Sequence, residues 1–160
     1  MYKEIVRQDK ILRPYQQAAK DEIFAAWDDC DNVMFQMPTG TGKTRLFTSI
    51  ISDIKAWSLI NNKKAKILII AHRVELIDQI CERLDKYEVK YGVIAGGKLR
   101  DLHPQVQVAS IQTIMHRTNC DLAQSLGVDF IIIDEAHHSM AKSYKNLWEL
   151  YPSSKKLGVT

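Results

Sequence analysis

Residues Met37-Pro38-Thr39-Gly40-Thr41-Gly42-Lys43-Thr44 constrain this chain more than any other stretch. They follow Asn32-Val33-Met34-Phe35-Gln36, which reads as a buried strand, and precede helical spacing of apolar residues at Leu46, Phe47, Ile50, Ile51, Ile54 and Trp57. Strand, glycine loop and helix in that order make a phosphate cradle. Gly40 and Gly42 let the backbone curl until successive N–H groups point at one anion, and the helix opening at Lys43 adds the positive end of its dipole. In such a cradle Lys43 reaches the β- and γ-phosphates, the Thr44 hydroxyl is placed for Mg²⁺, and Pro38, Thr39 and Thr41 complete the loop. Met37 departs from the strict pattern, which has a glycine at its position. A chance glycine-rich turn is the competing explanation, and Gly-Lys-Thr at a strand-to-helix junction argues against it.

A second motif strengthens the first. Phe130-Ile131-Ile132-Ile133 is the continuous apolar run of a strand buried on both faces of a parallel sheet, and Asp134-Glu135-Ala136-His137 follows it. The acidic pair therefore falls at a strand's C-terminal end, where open α/β sheets bind ligands. Alone, an Asp-Glu pair after a strand is a solvated turn. Beside a phosphate cradle it supplies what hydrolysis of Mg²⁺·ATP requires, one carboxylate for the metal and one acceptor for the attacking water. Asp134 is assigned to the metal and Glu135 to the water.

The loop Pro38 to Thr44 together with Asp134-Glu135-Ala136-His137 resembles the first RecA-like domain of the superfamily 2 helicases of DEAH type. The resemblance extends over nearly the whole chain and is nearest to the branch that holds restriction-enzyme translocase subunits. It implies an α/β fold of the RecA-like P-loop NTPase class, with a mostly parallel central sheet flanked by helices. It also implies that residues 1–160 are a single N-terminal ATP-binding domain of a longer protein.

Composition agrees with an ordinary globular domain. Hydrophobic residues make up 46% of the chain and charged residues 26%, which excludes a disordered chain. No apolar run approaches the roughly 20 residues of a membrane span, and Met1-Tyr2-Lys3-Glu4 opens no secretory signal, so a cytoplasmic location without membrane contact is expected. Cys30, Cys81 and Cys120 are widely spaced, which suggests neither a disulfide framework nor a zinc site. A net charge of +3 permits nucleic-acid binding without arguing for it.

The remaining segments acquire roles mainly from the resemblance. Ile11-Leu12-Arg13-Pro14-Tyr15-Gln16 opens a helix with Pro14 in its first turn and with Tyr15, Ala19, Ile23 and Ala26 on one face. By itself this is an amphipathic helix start; in the family, Gln16 reads the adenine edge and Arg13 packs on the base. Ala65 to Ala71 is another buried strand, and Val74, Ile77, Cys81 and Leu84 line the inner face of the helix after it. Ala71-His72-Arg73-Val74 resembles the family's first nucleic-acid motif, with Arg73 on the phosphate backbone or, alternatively, paired with Glu75 or solvent. Gly96 and Gly97 are either a backbone-contacting pair or a plain turn, with Lys98 and Arg100 adding charge. Ser110, Gln112 and Thr113 resemble the next such motif, although Ser110 could equally cap a helix. In the family His137 senses the γ-phosphate.

The expectation is thus an ATP hydrolase that moves along DNA or RNA. The partners implied are nucleic acid, held by its backbone, and a second RecA-like domain that carries an arginine finger. The chain alone should be nearly inactive, because such a finger is worth about 10³–10⁵ in rate. Two rivals remain open. One is a P-loop ATPase unrelated to nucleic acid; the other is an ATP-gated clamp or translocase that does not unwind.

Overall fold

The computed structural model describes residues 12–38, 40–98, 101–136 and 142–160. Its strands are β1 (Asn32–Phe35), β2 (Ile67–Ala71), β3 (Tyr91–Ile94), β4 (Val106–Ser110), β5 (Phe130–Asp134) and β6 (Lys155–Val159). Its helices are α1 (Pro14–Asp29), α2 (Lys43–Ile60), α3 (Val74–Lys86), the short α4 (Ile111–Ile114) and α5 (Cys120–Ser125), and α6 (Lys142–Leu150). The strands form one sheet in the order β1-β6-β5-β2-β4-β3, and every adjacent pair is parallel. All six C-terminal ends consequently lie on one edge, and the loops that leave them share that edge.

The sheet is covered on both faces. Ile67, Ile69, Val108, Phe130, Ile132 and Leu157 pack with residues of α1, α2 and α3 in one cluster. Leu68, Ile70, Ala109, Ile131 and Ile133 pack with residues of α4, α5 and α6 in another. The uninterrupted apolar runs of β2 and β5 follow from this: with apolar helices on both sides, both phases of the strand alternation must be apolar. Trp27, fully buried, sits between α1 and the sheet with ring centroids 5.6 Å from those of Phe24 and Phe130. Truncating it to Ala would cost about 3–5 kcal/mol.

Among the described residues, three charged side chains are buried in this interior. Lys20 of α1 and Asp53 of α2 form an ion pair at 2.9 Å, and Lys20 also donates to Ser49 Oγ at 2.8 Å. Removing one partner of such a pair costs about 3–5 kcal/mol, which makes it a firm clamp between the two helices. Lys156 is 2% exposed, donates to the Ser154 carbonyl at 2.9 Å and lies over the Trp148 ring. Burial pulls its pKa below the usual lysine range.

Several local expectations need correction. β1 is an edge strand with no fully buried residue, because only β6 flanks it. Tyr15 and Val74 are 45% and 50% exposed and stand outside the core, and Ala26 is only half-buried. The inner face of α1 is instead Gln16, Ala19, Lys20, Ile23, Phe24 and Trp27. Among the described residues no helix is long and apolar enough to cross a membrane.

Candidate functional site

The glycine loop grows directly out of the sheet. Thr160 donates to the Phe35 carbonyl at 3.1 Å and Met37 donates to the Thr160 carbonyl at 2.8 Å, so pairing with the β6 strand continues past β1. Met37 is buried at 6% exposure and lies outside the left-handed region, which is why no glycine is needed there. The turns come afterwards. Gly40 and Gly42 have φ of +80° and +85°, values that side chains with a Cβ rarely adopt. Thr41 closes the turn by donating its N–H to the Pro38 carbonyl at 3.3 Å and its hydroxyl to the same oxygen. Gly42 is the N-cap of α2, whose first residues are Lys43 and Thr44. Both are half-buried, and the N–H groups of the first helical turn, which lack a carbonyl one turn back within the helix, start here. Thr39 lies outside the described residues.

Asp134 ends β5, and Glu135 follows in the left-handed region with φ +54°. For a residue with a side chain that conformation is strained, and such strain gathers at functional positions. Glu135 donates its N–H to Asp134 Oδ1 at 3.0 Å. The segment then crosses β6 closely: a Cβ at Gly158 would stand 2.9 Å from the Ala136 Cβ and 2.8 Å from the Met34 sulfur. The glycine in β6 thus makes room for the acidic motif. Burial, reinforced by the neighbouring Glu135 charge, pushes the Asp134 carboxyl above the usual aspartate range; the Glu135 N–H and Lys43 oppose this without cancelling it.

These two junctions meet. Lys43 Nζ lies 3.3 Å from Glu135 Oε1, with β6 intervening between their parent strands. Arg13 and Gln16 approach the same place from α1. Gln16 is 2% exposed; its Oε1 accepts from the Arg13 N–H at 3.0 Å and its Nε2 donates to the Thr41 carbonyl at 2.8 Å. Arg13 is exposed. Tyr15, which sequence reasoning placed on one helix face with Ala19, Ile23 and Ala26, also donates to the Thr41 carbonyl, at 2.8 Å. Its place beside Gln16 was the one available signal.

A hydroxyl and a carboxylate at this edge are hard oxygen donors of the kind Mg²⁺ takes. The raised Asp134 pKa fits a site that is short of positive charge until a cation arrives. No group of three or more His, Cys, Asp or Glu suited to a metal exists among the described residues. A metal held partly by nucleotide phosphates does not need one.

The other half of the edge is a ledge. Arg73 is the exposed N-cap of α3. With His72, Val74, Glu75, Leu76, Gln79 and Glu135 it lines an open cleft of about 690 Å³, so this half is continuous with the acidic motif. Gly96 and Gly97 form an exposed turn after β3, and Lys98 in that turn pairs with Asp78 of α3. Ser110 caps α4 by accepting from the Thr113 N–H at 3.4 Å, and its hydroxyl donates to Gln112 Oε1 at 2.8 Å. Gln112 Nε2 donates to the His72 carbonyl at 2.9 Å and so joins the β4 junction to the β2 junction. Thr113 is half-buried, and Arg100 and His137 lie outside the described residues.

Comparison with known proteins bears on this arrangement. IRC3 of Saccharomyces cerevisiae is 33% identical over 149 residues, covering 90% of this chain and 21% of that protein. The DNA 3'-5' translocase XPB2 of Sulfurisphaera tokodaii is 31% identical over 156 residues, covering 95% of this chain and 31% of that protein. The chain thus spans less than a third of the length of either relative. Among solved structures, the SWI2/SNF2 ATPase core of Sulfolobus solfataricus in complex with double-stranded DNA superposes with a TM-score of 0.73 at 21% identity, covering 98% of this chain and 33% of that one. The fold is therefore that of a RecA-like ATPase core. The family model for the type III restriction enzyme res subunit matches residues 9–160, which takes in the glycine loop, the acidic motif and the ledge between them, and the chain belongs to that family.

Proposed function

We propose that this chain is the ATP-binding half of an ATP-driven nucleic-acid helicase or translocase. The observation that carries the proposal is the 3.3 Å contact between Lys43 and Glu135. It brings the lysine of the glycine loop to the acidic motif, and the same glutamate lines the cleft below Arg73. One carboxylate thus borders both the nucleotide position and the ledge.

The chemistry follows from these groups. The first-turn N–H groups of α2, with the N–H groups of Gly40 and Gly42, hold the phosphates, while Gln16 and Arg13 receive the adenine. Thr44 and Asp134 would hold Mg²⁺, which when bound neutralises phosphate charge and orients the γ-phosphoryl group. Lys43 pairs with Glu135 at 3.3 Å. A triphosphate offers Lys43 a stronger partner, and Glu135 is then released to orient the attacking water and take its proton. His137, next in the motif, would follow the γ-phosphate. Arg73, Gly96, Gly97, Ser110, Gln112 and Thr113 would hold the sugar-phosphate backbone of DNA or RNA without reading bases.

The relatives support this in kind: XPB2 bears the name of a DNA translocase, and the SWI2/SNF2 core was solved on duplex DNA. A second RecA-like domain in the same protein would complete both surfaces and supply an arginine finger; the 21% and 31% shares of the relatives that this chain covers leave room for one. Absent that domain, hydrolysis by residues 1–160 would be very slow. The test is the ATPase rate of the full-length protein with and without single-stranded DNA, duplex DNA and RNA. Stimulation by one of the three supports the motor and names its track. A rate indifferent to all three leaves an ATPase and removes the nucleic-acid role.

A further inference from the structure

The Thr41 carbonyl has two lone pairs, and both are occupied. Tyr15 Oη and Gln16 Nε2 each donate to it at 2.8 Å, from consecutive residues of the first turn of α1. This oxygen belongs to the same rigid peptide plane as the Gly42 N–H, and in a trans peptide the two point in opposite directions. Holding the oxygen toward α1 therefore aims the Gly42 N–H away from α1. The plane needs such a restraint. Gly42 has φ of +85°, and a glycine accepts φ of either sign, so the 41–42 peptide could turn over at little cost and present its oxygen to an incoming anion instead.

We propose that Tyr15 is a positioning residue that fixes the orientation of the phosphate loop through the Thr41 carbonyl. This rests on the assignment of the loop to phosphate. Two features single out its hydroxyl. The ring is 45% exposed and contributes little to the core, so the hydrogen bond is the main thing that the side chain provides. A Cβ at position 42 would lie 2.5 Å from Gln16 Nε2, so a side chain there would push this amide off the Thr41 carbonyl. Donor pair and glycine thus act as one device: the glycine permits the orientation and the two donors select it. Tyr15 does not touch the reacting atoms; its effect passes through the backbone.

The test uses a probe with no base. Binding of inorganic tripolyphosphate and of ATP is measured on the full-length wild type, Tyr15→Phe and Tyr15→Ala. Loss of one hydrogen bond weakens binding about five-fold. The expected result is that Tyr15→Phe weakens tripolyphosphate and ATP by the same factor, that Tyr15→Ala is no worse, and that KM for ATP rises with kcat and melting temperature unchanged. If Tyr15→Phe binds tripolyphosphate as tightly as wild type, the proposal is overturned. It is also overturned if only Tyr15→Ala loses affinity and only for ATP, which would make the ring a stacking surface for the base. A wild type that binds no tripolyphosphate removes the phosphate assignment of the loop itself, and this proposal with it.

Discussion

The C-terminal edge of the sheet is built in two ways. From β1 to β5 the candidate residues converge: Lys43 on Glu135, Glu135 on Asp134, and Gln16 and Tyr15 on Thr41. From β2 to β3 they spread out, as a capping serine, an amide that spans two junctions, an exposed arginine and an exposed glycine turn. Convergence suits a small, dense anion whose charge must be met from several directions. A ledge of hydroxyls, amides and helix N-termini suits an extended polyanion held at successive phosphates. In the proposed function this difference lets one parallel sheet serve two ligands: strand order decides which loops meet and which lie side by side.

The comparison breaks most visibly at Glu135. In the proposed function, replacing it with Gln removes the proton acceptor and keeps the shape, so ATP turnover should fall by about 10²–10⁴. Nucleic-acid affinity measured without nucleotide should stay near wild type. A variant that loses both equally would mean that the two halves are not separable. On the ledge, Arg73→Ala should weaken nucleic-acid binding and reduce the slope of log affinity against log salt by about 1, leaving KM for ATP unchanged. Titration at several salt concentrations measures this, and an unaltered slope would place Arg73 off the backbone.

Gln16→Ala gives a smaller effect and sharpens the converging half. It removes a loop tether and, in the proposed function, an adenine contact, so ATP should weaken more than GTP, with the preference narrowing about five-fold. Unchanged base selectivity would leave Gln16 with the tether alone. The smallest effect is on stability. Burial and the Glu135 charge raise the Asp134 pKa above its unfolded value, so the ionised carboxylate costs stability above its folded pKa and costs nothing below its unfolded one. Asp134→Asn should therefore raise the melting temperature of the nucleotide-free protein by a few degrees at neutral pH, and the gain should vanish on acidification. A gain that persists at acid pH would assign the effect to packing.

Much of this edge was legible because its signals are contiguous. The glycine loop and the acidic strand each declare a backbone conformation within a few residues, and the apolar runs of β2 and β5 require cover on both faces. The pairing of Lys43 with Glu135 joins residues 92 apart, and it follows from strand order rather than from local spacing. Tyr15 and Val74 misled for one shared reason. Each stands in the first turn of its helix at the C-terminal edge, where the apolar spacing continues but the helix overhangs the sheet and has nothing to bury against. Both border the site instead, Tyr15 at Thr41 and Val74 in the cleft below Arg73. Edge strand β1 misled similarly, since apolar content alone does not say how many neighbours a strand has.

One measurement bears most directly on the idea that a single edge couples two ligands. The affinity of the full-length wild type for nucleic acid would be determined with and without saturating ATP, supplied as a non-hydrolysable analogue. Because Glu135 borders both halves, occupancy of one should change the affinity of the other, and linkage requires the same factor in reverse. We expect a shift of about 5-fold or more. Equal affinity in both states, with ATP shown to be bound, would contradict the coupling and leave two neighbouring sites that do not communicate.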